Sequence, residues 1–281
     1  MSEDSSYIHG TTPEEQRRLT AMNEMLNPTS VGMMSLRGSR KVLDAGSGLG
    51  QLTRAIARTA GPGAKIVGVE RSQAQIDEAL RQAKEAGEEG SVEFRKGDAD
   101  HLPLREDEWG SFDIVHSRFL LEHLSNPETA VKAMVKALRP GGRIILEDDD
   151  HAAMRLWPEP GGFGRLWSSY VASFTRLKSD PFVGRRLISL IHGAGASPMR
   201  NNNLSVSGCS GSPSFGPIFD ILCALLEGAR QTMISEKLIA EVQFESGMAS
   251  LREWGLAPNA ALWYSTCWAE GKRPPRGTAS S

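Results

Sequence analysis

The sequence predicts a doubly wound α/β fold, in which helices cover both faces of a mostly parallel sheet. Short apolar segments of strand length alternate with amphipathic helical segments through the first half of the chain, which is the order of βαβ units. A glycine-rich turn follows the first strand directly and leads into a helix. The chain has 281 residues, 40% of them hydrophobic, so it can form one large core without a disulfide or metal.

The first half begins with a helix and then alternates regularly. Thr12, Pro13 and Glu15 supply an N-cap, a first helical proline and a capping-box acid, so we expect a leader helix to about residue 28. Another helix follows Gly50, and Ser72 and Asn126 each begin one more. The predicted strands are residues 40–45, 65–70, 92–96, 112–117 and 143–147.

The alternation changes after residue 150. Residues 151–181 and 209–258 are predicted to be helical cap insertions, and residues 184–192 a further helix. Residues 199–207 and 260–268 are predicted strands that close the sheet as an antiparallel hairpin. We therefore divide the chain into a lid segment with a helix (1–36), a ligand-binding core (37–150) and a remainder that carries the insertions (151–281).

Charge and cysteine content exclude several function classes. Lys and Arg number 32 against 34 Asp and Glu, a net charge of −2, and the basic residues do not cluster, so no nucleic-acid partner is expected. The cysteines Cys209, Cys223 and Cys267 lie far apart, which favours reduced thiols and a cytoplasmic location. No segment is apolar enough to span a membrane. The leader helix and residues 215–254 could each bury an apolar face in the chain or against a second copy.

The strongest chemical signal is the turn after the first strand. Asp44-Ala45-Gly46-Ser47-Gly48-Leu49-Gly50 lets a ligand approach the backbone, because its glycines carry no Cβ atoms. A dinucleotide motif would need glycine where Gln51 stands, and Asp44 would repel a diphosphate. The turn therefore predicts a nucleoside ligand with a cationic group facing Asp44. A tight turn with no ligand is the alternative.

The turn and four later segments resemble the class I S-adenosylmethionine-dependent methyltransferases, of the ubiquinone/menaquinone-biosynthesis type. The later segments are Glu70 at a strand end, residues 97–100, residues 112–118 and residues 138–142. The resemblance implies a Rossmann-like doubly wound sheet of seven strands, mostly parallel with the last antiparallel, and helical cap insertions. It implies S-adenosylmethionine as cofactor and S-adenosylhomocysteine as product. The cofactor-binding residues it implies are Tyr7, Asp44, Gly46, Ser47, Gly48, Gly50, Glu70, Arg71, Asp98, Ala99 and Ser117.

Catalytic residues are harder to predict, because a sulfonium already activates its methyl group. His151, oriented by a neighbouring acid, is the candidate base, with a capping or solvated histidine as the alternative. Tyr7, also a candidate catalytic residue, is expected to fold over the sulfonium end with His9; a plain surface arm is the alternative. Trp157, Trp167 and Tyr170 would line an aromatic acceptor pocket or pack in the cap.

No metal is expected, because metal-dependent relatives need an acid after the fourth strand, where this chain has His116-Ser117-Arg118.

The predicted function is therefore methyl transfer from S-adenosylmethionine to a small-molecule acceptor. A protein of this fold that binds the cofactor without methyl transfer, in a cyclase or binding role, is one alternative. A nicotinamide-dependent oxidoreductase is a weaker one, since Gln51 and Asp44 disfavour it. The sequence leaves open the acceptor and whether its oxygen, nitrogen or carbon is methylated.

Overall fold

The computed structural model describes residues 13–275, which form one eight-stranded sheet with helices on both faces. The strands are β1 (Lys41–Ala45), β2 (Lys65–Glu70), β3 (Val92–Lys96), β4 (Phe112–Arg118), β5 (Leu138–Asp149), β6 (Arg155–Trp157), β7 (Ser197–Cys209) and β8 (Ala261–Lys272). The α-helices are α1 (Pro13–Met34), α2 (Gln51–Ala60), α3 (Gln73–Glu85), α4 (Pro127–Ala137), α5 (Phe163–Arg176), α6 (Leu187–Gly193), α7 (Phe215–Ser235) and α8 (Glu241–Gly255).

The strand order confirms the predicted fold class. Strands run in the order β3-β2-β1-β4-β5-β8, with β1 to β5 parallel. The last strand, β8, is antiparallel to β5 and to β7 on its other side. Strands β7 and β8 therefore form the predicted antiparallel pair, with α7 and α8 between them in sequence.

The sheet has one strand more than predicted. The short strand β6 pairs with β8 at Leu262 and its two neighbours, and so continues the line of β5 beyond the end of that strand. Three residues are too few to show an alternating pattern, and the segment lies inside the stretch expected to be helical. Pairing with β8 creates this strand, and a partner so distant in sequence leaves no local signal.

The two largest differences in element boundaries concern α1 and β5. Helix α1 continues through Pro28 to Met34, because Val31 and Met34 are buried against α2 and the sheet. Their burial outweighs the loss of one backbone hydrogen bond at the proline. Strand β5 begins at Leu138, before the glycine pair expected to precede it.

Apolar residues form three clusters that fix the site between the sheet and the cap. Two clusters lie on the two faces of the sheet, and the third joins α5, α7 and α8 to the ends of β6 and β8. The apolar faces of α1 and α7 are used within the chain, since Leu26 and Leu226 are buried. Self-association and the three-part domain division stay predictions. Among the described residues, 13–275, no helix is both long and apolar enough to cross a membrane.

Candidate active site

A cavity of about 210 Å³ opens at the carboxyl ends of β1, β2 and β4. The strand register explains its position: Ala45 lies beside Val69 on one side and Ser117 on the other, so the three strands end at one edge. In open α/β sheets ligands collect at such an edge. Its lining includes Arg18, Met22, Asp44, Gly46, Ser47, Gly48, Glu70, Arg71, Asp98, Ala99, Leu120, Glu122, His123, Leu124, Asp149, Tyr170 and Leu225.

The glycine turn forms one wall of this cavity. Gly46 and Gly48 have positive φ angles of 75° and 53°, which side chains other than glycine adopt at a cost. The amides of Gly46 and Ser47 both donate to the Val69 carbonyl, at 2.8 and 2.9 Å. The turn is therefore fixed to the neighbouring strand and presents its backbone to the cavity.

Glu70 occupies the end of β2, as predicted, and faces the same cavity. One oxygen accepts from the Gly48 amide at 3.1 Å and the other from the Ser72 amide at 2.9 Å. Burial raises the pKa of this carboxyl, and the two amides partly offset that rise. Each oxygen keeps a lone pair, so the carboxylate can still accept from a ligand hydroxyl.

Asp44 lines the cavity and is also anchored within the chain. Its two oxygens bond to the Thr53 hydroxyl at 2.6 Å and to His116 Nδ1 at 2.8 Å, and the residue is 2% exposed. The expectation that Asp44 faces a ligand cation stays a prediction. This carboxylate also holds β1, β4 and α2 together beneath the turn.

Two predicted cofactor residues lie away from the cavity. At Gly50 a Cβ atom would come 2.7 Å from Phe94 Cε1, so this glycine allows close packing of α2 on β3. Ser117 is fully buried on the sheet face opposite to that of His116, because alternate strand residues point to opposite faces. Both residues lie in the same segments as residues that line the cavity, so the sequence could not show that these two positions lie away from it.

The other predicted cofactor residues have mixed outcomes. Arg71, Asp98 and Ala99 follow β2 and β3 and line the cavity. Tyr7 and His9 lie outside the described residues, so the predicted lid stays a prediction.

Helix α1 covers the cavity through polar contacts that the sequence did not indicate. Asn23 donates to Gln51 at 2.8 Å, and Gln51 donates to Thr20 at 3.1 Å. Arg118, at the end of β4, donates to Asn27 at 2.7 Å and also to Asn23. Burial lowers the pKa of this guanidinium. Gln51 stands where a dinucleotide motif would have glycine. Its hydrogen bonds to Asn23 and Thr20 hold α1 against α2.

The far end of the cavity combines acids with apolar walls. Glu122 follows β4, Asp149 ends β5, and both line the cavity with Tyr170 from α5 and Leu225 from α7. Glu122 is 4% exposed, and burial raises its pKa to about 8. Its position after a parallel strand is a signal that could have identified Glu122 from the sequence.

His151 lies behind Glu122 and does not reach the cavity. Its Nε2 atom is 3.1 Å from Glu122 Oε2, and the residue is 2% exposed. The Trp167 indole donates to the His151 carbonyl at 2.8 Å, and the imidazole packs against Tyr170 and Phe174. Burial lowers the pKa of His151, so the ring is neutral near pH 7. The orienting acid that was predicted is Glu122, outside the acidic run next to His151.

Tyr264 completes this cluster from β8. Its hydroxyl is 3.0 Å from His151 Nδ1. A tyrosine in an apolar closing strand resembles any core aromatic residue, so the sequence held no signal for this role. Glu122, His151 and Tyr264 form a hydrogen-bonded chain. Its Glu122 end lines the cavity, as does the neighbouring Asp149.

The metal question depends on the same residues. Glu122 supplies the acid after the fourth strand that metal-dependent relatives need. The reason for expecting no metal therefore no longer holds. Ligand atoms of Glu122, Asp149 and His151 lie within 4.8 Å of one another. His151 Nε2 and Glu122 Oε2 already form a mutual hydrogen bond at 3.1 Å. That contact favours a proton-sharing cluster, and the absence of a metal stays a prediction.

The remaining residues of the second half have structural positions. Asp148 accepts from the amides of Leu120 and Leu121 at 3.1 and 2.8 Å, which fixes the loop after β4. Asp150 forms an ion pair with Arg185 at the surface. Trp157 is 69% exposed and is not part of the acceptor wall, whereas the expectation for Tyr170 matches its place in the lining.

Comparison with known proteins identifies the domain. Residues 43–146 match a family described as "Methyltransferase domain". A ubiquinone/menaquinone biosynthesis C-methyltransferase UbiE of Ectopseudomonas mendocina is 27% identical over 150 residues, which are 53% of this chain and 54% of the relative. This chain spans about half the length of the curated relatives that it matches.

Solved structures agree on the fold. Geranyl diphosphate C-methyltransferase from Streptomyces coelicolor A3(2) is 16% identical, with a TM-score of 0.54 over 93% of this chain and 85% of that one. The [4+2]-cyclase SpnF is 18% identical, with a TM-score of 0.55 over 89% and 81%. At these identities the likeness concerns the fold alone. Residues 43–146 therefore match the methyltransferase-domain family, and the glycine turn, Glu70 and the strand order resemble those of the class I S-adenosylmethionine-dependent methyltransferases.

Proposed function

We propose that this protein transfers a methyl group from S-adenosylmethionine to a small-molecule acceptor. The observation that carries the proposal is Glu70, which holds the Gly48 and Ser72 amides at the mouth of the cavity. A carboxylate fixed at the end of the second strand suits the two hydroxyls of a ribose. A diphosphate would be repelled by the same group.

The residues along the cavity fit the parts of this cofactor. Glu70 would hold the ribose, Asp98 and Ala99 the adenine, and the turn at Gly46 and Gly48 the amino-acid end, where no Cβ stands in the way. When bound, S-adenosylmethionine supplies a methyl group activated by its sulfonium. The chain's own contribution is to orient the acceptor and exclude water. Met22 and Leu225, on the covering helices, are suited to that task.

The choice of a small-molecule acceptor rests on the covered, apolar far end of the cavity and on the relatives. Several curated relatives are named for ubiquinone and menaquinone biosynthesis, and a structural neighbour is named for geranyl diphosphate. All three are small molecules. Lys and Arg residues do not cluster in the sequence, so nothing supports nucleic acid as the acceptor.

We also propose a cytoplasmic location, because Cys209, Cys223 and Cys267 are free thiols and Cys209 is exposed. Cell fractionation with a tagged chain tests this proposal. Recovery of the chain from an oxidising compartment would contradict it.

The functional proposal is tested by calorimetric titration of the full chain with S-adenosylmethionine, S-adenosylhomocysteine and NADH. We expect the two sulfur ligands to bind and NADH not to bind. Glu70→Gln should weaken binding about 10- to 100-fold, since a hydrogen bond to a charged group contributes about 1.5–3 kcal/mol. Glu128→Gln, on an exposed helix surface, is the matched control and should leave binding unchanged.

Two results would contradict the proposal. Preference for NADH would indicate that the glycine turn binds a dinucleotide. Tight binding of S-adenosylmethionine with no methyl transfer to any acceptor in a broad metabolite panel would favour a cofactor-binding or cyclase role.

A further inference from the structure

The chain of hydrogen bonds behind the cavity has an unusual arrangement. It begins at Glu122, which lines the cavity, and passes through His151 Nε2 and Nδ1 to the Tyr264 hydroxyl. Each link joins groups that both donate and accept protons. A purely structural network would not need its carboxyl end on a ligand cavity, beside a second acid, Asp149, that lines the same cavity.

The tautomer of His151 couples the two ends. If Glu122 is ionised, His151 donates to it through Nε2, and Tyr264 donates to Nδ1. If Glu122 is protonated, it donates to Nε2, and His151 donates to the Tyr264 hydroxyl oxygen through Nδ1. Both states satisfy every link without movement of a heavy atom. The network can therefore take up a proton at Glu122 at little cost in reorganisation.

The surroundings of Glu122 determine which acceptor this end of the cavity suits. The charged or titratable groups around it are Arg18, His123, Asp148, Asp149, His151 and Tyr264. The lining beside it is mostly apolar, with Met22, Leu120, Leu124 and Leu225. A carboxylate or phosphate on the acceptor would have to be desolvated beside two buried acids, which is costly.

We propose that Glu122 takes the proton from the acceptor, positioned by His151 and Tyr264, and that the acceptor is a neutral, largely apolar molecule whose methylated atom carries a weakly acidic O–H or C–H proton. This inference rests on the proposed methyl transfer. The O–H or C–H bond breaks, and its proton goes to a Glu122 carboxylate oxygen. The electron pair that is left forms the bond to the methyl carbon, whose bond to sulfur breaks with its pair on sulfur.

His151 is a positioning residue in this scheme. Its ring touches Glu122 and Tyr264 and is enclosed by Trp167, Tyr170 and Phe174, so it contacts no acceptor. The earlier prediction of His151 as the base is therefore replaced by Glu122. The raised pKa of Glu122, about 8, supports this role because a base titrating near the working pH is effective.

The first test follows the carboxyl carbons of ¹³C-glutamate-labelled full-length protein, saturated with S-adenosylhomocysteine, from pH 5 to 9. One glutamate should titrate near pH 8, vanish in Glu122→Gln and persist in Glu128→Gln. In His151→Asn and Tyr264→Phe its midpoint should move by about one pH unit or more. The inference is overturned if the Glu122 signal titrates in the ordinary carboxylate range, or if neither of these two variants moves it.

The second test measures S-adenosylhomocysteine release with three probes: a substituted phenol, a 1,3-dicarbonyl compound and a primary amine. The phenol or the dicarbonyl should be methylated, faster as pH rises towards 8, and Glu122→Gln should lower the rate about 10²- to 10⁴-fold. Methylation of the amine at a rate unaffected by Glu122→Gln would overturn the inference. So would Mg²⁺ binding that abolishes the Glu122 titration, because the acids would then be metal ligands.

Failure of this inference can be separated from failure of the proposed function. If neither the unaltered chain nor Glu122→Gln binds S-adenosylmethionine in calorimetry, the proposed function fails. If both bind it equally and Glu122 shows no titration near pH 8, only the role of Glu122 fails.

Discussion

Substituting Gly50 by alanine should destabilise the protein through one identifiable contact. Gly50 has φ +68°, and an added Cβ would lie 2.7 Å from Phe94 Cε1 and 3.1 Å from Ala79 Cβ. The left-handed backbone costs a non-glycine residue about 1–2 kcal/mol, and overpacking costs about 1–3 kcal/mol more. We therefore expect Gly50→Ala to lower the free energy of unfolding by about 2–5 kcal/mol.

Gly87 offers a control with the same backbone and no contact. Its φ is +67°, and a Cβ there would meet nothing within 4 Å. Gly87→Ala should therefore cost only the backbone part, about 1–2 kcal/mol. The two variants should differ by about 1–3 kcal/mol in urea unfolding, or by about 2–12 °C in Tm.

A double-mutant cycle with Phe94→Ala isolates the contact. In that background the extra cost of Gly50→Ala should fall towards the Gly87→Ala value, because the ring that the new methyl group meets is gone. Equal losses for Gly50→Ala and Gly87→Ala in the unaltered background would refute the packing role. Gly50 would then return to the set of ligand-facing residues.

Two further predictions concern buried acids. Asp148→Ala should lower the free energy of unfolding by about 2–6 kcal/mol, because two buried amides lose their acceptor. Asp148→Asn keeps one acceptor oxygen and should cost less. Comparable losses for both variants in urea unfolding would contradict this prediction. Hydrogen bonds from Arg95 lower the pKa of Glu108 from 4.5 to about 2, so its stabilisation is complete above pH 4.5 and is lost as pH falls towards 2. Unfolding measured between pH 3 and 6 should therefore show a slope, of about 1–3 kcal/mol in total, that is reduced in Glu108→Gln; an unchanged slope would assign the acid sensitivity to other groups.

The parts of the molecule that local sequence determines were predictable. The strands β1 to β4, the N-caps at Ser72 and Asn126 and the glycine turn each depend on neighbours within a few residues. Because parallel strands end at one edge, the turn and Glu70 could be assigned to one cavity before the structure was known. The strand β6 and the full length of α1 could not, because distant partners create them.

The candidate site divides along the same line. The sequence alone predicted the fold class, the half of the cavity that suits a nucleoside, and the presence of titratable groups beyond β4 and β5. Only the tertiary structure showed that Asp44 anchors Thr53, that Gly50 packs against Phe94, and that Glu122 faces the cavity with His151 behind it. It also brought Tyr264 to His151 across more than one hundred residues of sequence. Hydrogen-bond partners and burial depend on which segments contact each other in the folded chain, and the local propensities of those segments do not determine such long-range contacts.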